Sequence, residues 1–387
     1  MLIASQGDFF MEIKALPLTH WYSKALNSQD IHSCTSMDLS VIHIDGLFED
    51  NNSLKFIKQY FGGFSHIFSK KHTPNKLSAL ISEITPFRAQ HTVASFLLGI
   101  ALKEELTLDV RNWIRLYDTN SPDPTFGFFW SLICLTHDIA YKWEQKSSKY
   151  LSSYINARAF CTGNNIEFNL LDKSSKAQLI ENYYLYRIQK KEKVDHGITG
   201  ALLIYDALIS FYEEYHDDPT MHLCGLRLKD SFPDFCLKIA ETIALHNMWR
   251  AKDDDIPTYQ DYHLDELIPD GKLNHIVDYK DNTLLFLLGL IDSIDPIKAF
   301  CNTEGRSTRL SANTVLNEFL FGFTNRSQAK KIFLQFGYPE FSKKYRDTLE
   351  DLKDWLSVDI KTKENSAEIY LKQKSSASIY SNNRQAS

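Results

Sequence analysis

Hydrophobic positions recur at helical spacing through most of the chain, three or four residues apart, and five stretches carry the pattern most clearly. RAQHTVASFLLGIALKEEL puts Val93, Phe96, Leu97 and Ile100 on one side, with Arg88 and His91 at its amino-terminal end. Phe126 to Glu144, FGFFWSLICLTHDIAYKWE, reads as one helix-like stretch: an apolar run, then His137 and Asp138 side by side, then aromatic residues again. KEKVDHGITGALLIYDALISFYEEY predicts a helix from about Gly197, with Ile198, Leu202, Tyr205 and Ile209 on one face and His196 at its start. DFCLKIAETIALHNMW aligns Ile239, Ile243 and His246, which places the histidine on the buried face. TLLFLLGLIDSIDP holds almost no polar residue before Asp292 and Asp295, and Pro296 stops or bends it.

The remaining segments are less periodic. Residues 1–85 show no motif. LSVIHI (Leu39 to Ile44) reads as a strand or an edge of the core, and FIKQYFGGFSHIF is broken by Gly62 and Gly63. His32, His43 and His66 have no ligand spacing and read as ordinary residues. The SPDPT loop precedes Phe126. Residues 146–190 are polar and irregular, with a serine and lysine cluster, and suggest an insertion or lid. YHDDPTMHLCG lacks a ligand period and reads as a solvated loop. After residue 300, NTVLNEFLFGF and SKKYRDTLEDLKDWL predict amphipathic helices on the outside of the core, and the serine-rich residues from 366 predict a loose tail. The organisation expected is all-α: an amino-terminal segment 1–85, a helical-bundle core 86–300, a helical extension 301–365 and a flexible tail 366–387.

Composition narrows the class. The 387 residues are 43% hydrophobic with only 15 glycines and 11 prolines, which suits a large helical core. The net charge of −6 favours neither a nucleic-acid coat nor an anionic-membrane binder. The six cysteines form no C-x-x-C pair, and their scatter reads as reduced thiols in a cytosol. The start, MLIASQGDFFMEIK, lacks a basic region followed by a long apolar run. The longest apolar runs fall short of the roughly 20 residues a membrane span needs. A cytoplasmic protein is expected.

The polar residues embedded in apolar sequence are therefore the candidate chemistry: His91, His137, Asp138, His196, His246 and Asp292. An ionised carboxylate out of water is costly unless paired or bound to a metal. Any one of these histidines alone reads as a hydrogen-bonded core residue. Together, imidazoles and carboxylates suit manganese, iron, cobalt, nickel or zinc. Six ligands exceed a four-coordinate structural zinc and suffice for two ions if one carboxylate bridges.

The order, histidine, histidine-aspartate, two further histidines and an aspartate, resembles the HD superfamily of metal-dependent phosphohydrolases. The flanks LTHDIAYKWE, DHGITGALL, IALHN and LLGLIDSIDPIKAF are similar to that family's ligand segments, and the resemblance covers roughly residues 86–300. The last segment, with its proline four residues after Asp292, also resembles the dinucleoside-polyphosphate hydrolase branch and an HD group of bacterial conflict systems. The resemblance implies an HD helical core holding one or two divalent ions (manganese, iron, nickel, cobalt, zinc or magnesium). His91, His137 and Asp292 would hold one ion, His196 and His246 a second, and the catalytic Asp138 would bridge them. Asp295 is then an outer partner or a helix-end residue. Arg88 and Lys142 are the candidate phosphate-binding cations, with Arg250 and Lys252 following His246; solvated surface charge is the plainer reading of each. Tyr141 stands where the cyclic-dinucleotide phosphodiesterase branch places lysine, and that branch's G-Y-P element is absent. The implied activity is hydrolysis of a P–O bond in a nucleotide or nucleotide second messenger. The alternatives are an HD nuclease on single-stranded nucleic acid, which the charge disfavours, and a non-catalytic metal-binding effector in a bacterial defence system. The oligomeric state is left open.

Overall fold

The computed structural model describes residues 15–49, 51–62, 76–109, 125–144, 151–219, 221–224, 226–269, 277–301, 310–326, 329–337 and 339–372. The start at 1–14, most of the SPDPT loop, His66, the serine and lysine run at 145–150 and the tail beyond 372 lie outside the described residues.

Helices dominate, and local caps set many of their starts. After Leu18–Leu26 (α1) come further helices, Asn52–Gly62 and Lys76–Ser82 among them, and then Pro86–Glu105 (α2), which begins where the Thr85 hydroxyl accepts from the Arg88 N–H and a proline fills the first turn. Thr125 caps Phe126–Cys134 (α3) through Phe128 N at 3.2 Å. A turn then leads to Tyr141–Glu144 (α4), and Ala177–Lys190 (α5) follows. Asp195 caps His196–Tyr215 (α6) through Ile198 N at 3.0 Å. Phe232–Leu245 (α7) comes next, then Thr283–Ile294 (α8), capped by Asn282 through Leu285 N at 3.2 Å, and Pro339–Asp351 (α9).

Helices α2, α3 and α8 are buried on nearly every side and form the centre. α2 packs on α1, α3 and α8; α3 packs on α7; and α6 lies along α7. The α2–α3 contact depends on Gly99, because a Cβ there would sit 2.1 Å from the Trp130 ring. The indole lies in that notch and donates its N–H to Phe96 O at 3.0 Å.

Several expectations are corrected. The chain is mostly helical but not all-α, because a five-stranded antiparallel sheet is present. Its strands are Leu16–Pro17 (β1), Leu320–Arg326 (β4), Ala329–Gln335 (β5), Val358–Lys363 (β6) and Ser366–Leu371 (β7), in the order β1-β4-β5-β7-β6. His222–Leu223 (β2) and Leu226–Arg227 (β3) form a separate hairpin. The run NTVLNEFLFGF is helical only over Ala312–Glu318 and then becomes β4. Residues 366–371, expected in a tail, alternate Ala367, Ile369 and Leu371 inward against half-exposed polar neighbours, which is the period of a strand covered on one face. Short apolar runs fit either period, and pairing with distant strands decides between them. The sheet also ties the segment before α1 to β4, since Leu16 pairs with Phe321.

LSVIHI is an edge of the core and not a strand: Leu39–Val41 is a 3-10 turn and Ile44–Leu47 a short helix, with Leu39 and Ile44 buried. The segment read as an irregular insertion is helical where described, over Ala157–Gly163, Asn169–Lys173 and α5. Leu170, Leu171, Ile180 and Tyr184 carry it into the core. No helix among the described residues is long and apolar enough to cross a membrane.

Candidate metal centre

Phe126 to Glu144 is not one helix. α3 stops at Cys134, and His137 and Asp138 sit on the turn that follows. The Thr136 hydroxyl donates to Leu132 O at 2.5 Å, and His137 Nδ1 donates to the end carbonyl of Cys134 at 2.8 Å. Side chains thus satisfy the carbonyls that the next helical turn would have used. The break exposes both groups of the doublet to a single point between α2, α6, α7 and α8.

Four histidines and two aspartates meet there. His91 comes from α2, His196 from the first residue of α6, His246 from the end of α7 and Asp292 from the last turn of α8. Asp138 lies between them. Its Oδ2 is 3.7 Å from His91 Nε2, and its Oδ1 is 3.3 Å from His196 Nε2 and 3.7 Å from His137 Nε2. Asp292 Oδ1 lies 2.9 Å from His91 Nε2 and 3.6 Å from His137 Nε2. The donor atoms of His91, His137 and Asp138 lie within 4.8 Å of one another, as do those of Asp138, His196 and His246. Ligands about 2.1 Å from a shared ion are themselves about 3.0–3.4 Å apart, so this spacing suits coordination. His91, His137, Asp138, His196 and His246 could hold a divalent metal ion.

The histidine tautomers carry the same implication. His137 Nδ1 donates to Cys134 O and His246 Nδ1 to Ile243 O, at 2.8 and 2.6 Å. A carbonyl only accepts, so the proton is on Nδ1 and the lone pair on Nε2. Both Nε2 atoms are sealed from solvent and lack a hydrogen-bond partner. Such an orphan acceptor costs ~1–3 kcal/mol. Two of them aimed at one cluster of acids fit a cation. Burial, reinforced by His137 and His196, pushes His246 down to about 3, so its imidazole stays a neutral donor.

Carboxylates orient the other two rings. His91 Nδ1 meets Asp295 Oδ2 at 2.6 Å, and His196 Nδ1 meets Glu144 Oε2 at 2.5 Å. Each leaves its Nε2 facing the cluster, an arrangement that raises ligand basicity. Asp295 also accepts from Ile297 N and Lys298 N, fixing the turn after α8. Glu144 is held in turn by Arg187 Nη2 at 2.8 Å. We expect Glu144→Gln to weaken metal affinity by about 10–100-fold, measured by chelator competition, while the melting profile of the chelated protein stays near wild type.

The cations divide. Arg88 is buried, with Nη1 3.0 Å from Asp138 Oδ2 and its guanidinium 3.1 Å from the Tyr141 ring centroid. Lys142 forms an ion pair with Glu83 at the surface. Arg250 and Lys252 lie away from the doublet, against Asp354 O and Asp351. Sequence reasoning missed Lys298, whose Nζ is 2.5 Å from Asp292 Oδ1. It projects from a π-helical turn, Ile297–Cys301, so α-helical spacing from Asp292 could not locate it. Glu144 was missed for a related reason, because the turn at 135–140 breaks the phase between it and Asp138.

Burial pushes the Asp138 carboxyl up, but His137, Arg88, His196 and His91 outweigh it and hold the group well below the usual carboxylate range. Burial also opposes ionisation of Asp292, where Lys298, His137 and His91 prevail. Both acids are thus anionic. In the loop after Tyr215, His216, Asp217 and Asp218 are exposed and stand apart from this centre. Comparison of the chain with protein-family models, curated proteins and solved structures finds no match.

Proposed function

We propose that the chain is an HD-type metal-dependent phosphohydrolase that cleaves a P–O bond of a nucleotide or nucleotide second messenger. The observation that carries this reading is the pair of orphaned, inward-facing Nε2 atoms of His137 and His246 on either side of Asp138. His91, His137 and Asp292 would hold one divalent ion, His196 and His246 another, with Asp138 shared. Bound ions of this kind generate hydroxide near neutral pH and neutralise phosphoryl oxygens.

The surrounding side chains do the remaining work. Asp295 and Glu144 keep the Nε2 lone pairs of His91 and His196 pointed inward. Tyr141 lies against the Arg88 guanidinium and also meets the His196 ring edge-on at 5.3 Å, so it steadies both. Arg88 uses one N–H on Asp138, and its fork has others for a phosphoryl oxygen. Lys298 supplies a second positive charge on the Asp292 side. These two cations flank the cluster and suit a substrate that brings several negative oxygens.

The test is elemental analysis of the purified chain, then chelation and a nucleotide panel with the native metal restored. Chelation is expected to abolish phosphate release and re-addition to restore it. A protein that neither retains nor rebinds a divalent ion overturns the reading. Metal binding with no turnover across the panel would favour a non-catalytic effector, and cleavage of a labelled oligonucleotide alone would favour a nuclease.

A further inference from the structure

A cavity of about 620 Å³ opens between the segment after α7 and the end of α9. We propose that it receives the base of the substrate nucleotide, an assignment that rests on the phosphohydrolase reading. Its walls include Trp249, Arg250 and Lys252 on one side and Asp351, Asp354 and Trp355 on the other. The volume lies within the range of small-molecule sites, about 300–1,000 Å³.

Its position ties it to the metal centre through two separate elements. Trp249 follows the ligand His246 by three residues. Trp355 is seated on α8 at Gly289, where a Cβ would come within 2.0 Å of the indole. Gly289 precedes Asp292 by three residues on the same helix, about 4.5 Å along the axis. The two indoles lie 5.3 Å apart, at 41°. Trp249 and Trp355 thus join the cavity to the two segments that carry His246 and Asp292.

The lining matches a nucleobase. The half-buried Trp249 offers a stacking surface, which every base can use. Arg250 Nε is shielded from solvent and has no hydrogen-bond partner, while its Nη1 is held by Asp354 O at 3.1 Å. The other N–H groups of its fork are the donors it offers a base carbonyl or ring nitrogen. Asp351 and Asp354 supply acceptors for base N–H groups. The Lys252–Asp351 pair across the site is exposed, so a ligand displaces it at little cost. A lipid or an apolar peptide would leave these charged groups unmatched.

The experiment uses the full metal-loaded chain and the variants Trp249→Ala and Trp249→Phe. Turnover of the best nucleotide is compared with that of bis(p-nitrophenyl) phosphate, which carries no base. Trp249→Ala is expected to lower kcat/KM for the nucleotide, relative to the aryl diester, by about tenfold to a hundredfold, mainly through KM. Trp249→Phe should recover most of the loss, and metal content should not change. Adenosine or guanosine should quench tryptophan fluorescence in the wild type and much less at the same concentration in Trp249→Ala, whose affinity for the base is reduced. An unchanged ratio in Trp249→Ala overturns the assignment, as does wild-type fluorescence insensitive to both nucleosides. If the wild type hydrolyses neither substrate, the phosphohydrolase reading fails, and the quenching experiment alone then decides the cavity.

Discussion

Asp138→Asn is expected to empty the metal centre and to lower kcat/KM by at least about 10³-fold, with the helical circular dichroism unchanged. Asp138 is the one group shared by both sets of candidate ligands. Asparagine keeps its shape and an oxygen for Arg88 but removes the negative charge and one coordinating oxygen. Losing a bound Lewis acid forfeits several kcal/mol of transition-state stabilisation, and each 1.36 kcal/mol is about tenfold in rate. Asp138→Ala or His137→Ala should also lose metal and turnover. The alanine at 138 is a less clean probe, because it strands the Arg88 guanidinium, whose side chain is 7% exposed. An uncompensated buried charge costs ~3–5 kcal/mol, enough to confound folding with catalysis. Metal content and phosphate release from the asparagine variant are the measurements. Wild-type activity in a variant that still folds would remove the basis for the proposed function.

Trp130→Ala is expected to cost ~3–5 kcal/mol of stability, the largest effect foreseen away from the ligands. The indole is fully buried, stacks on Phe126 with centroids 5.7 Å apart and fills the notch at Gly99. It sets the approach of α3 to α2, and hence of the His137–Asp138 turn to His91. Gly99→Ala alone should also destabilise, by ~1–3 kcal/mol, because its methyl meets the ring at a distance no real contact allows. With the ring gone the same methyl enters empty space. Alanine then contributes its helix preference, about 1 kcal/mol over glycine. Gly99→Ala should therefore change sign in the Trp130→Ala background. Urea denaturation of the four proteins, with metal chelated throughout, tests this, and additive effects would show that the two positions do not share the contact.

Glu144 and Asp295 show how the centre extends past its ligands. Each accepts a hydrogen bond from the Nδ1–H of one histidine, as backbone carbonyls do from His137 and His246. All four rings are thereby left with Nε2 facing inward. Carboxylate partners suit the two rings nearer charged neighbours, since Arg187 and the turn at Lys298 stabilise those acids in place.

Much of this was legible along the chain, for local reasons. The helices with a dominant apolar face were readable because their period is written into neighbouring residues. His91, His137, Asp138, His196, His246 and Asp292 stood out because polar groups inside apolar runs must find partners or a cation. Strands β4 and β7 were not readable, because a short apolar run becomes a strand only when distant strands pair with it. Lys298 and Glu144 were hidden by a π-turn and a helix break that shift the phase of the chain. Amino-acid order alone determined which groups would be expensive to bury. Only the packing of α2, α6, α7 and α8 around the turn after α3 decided that they share one place, because convergence of five separated segments depends on long-range contacts that no local pattern encodes.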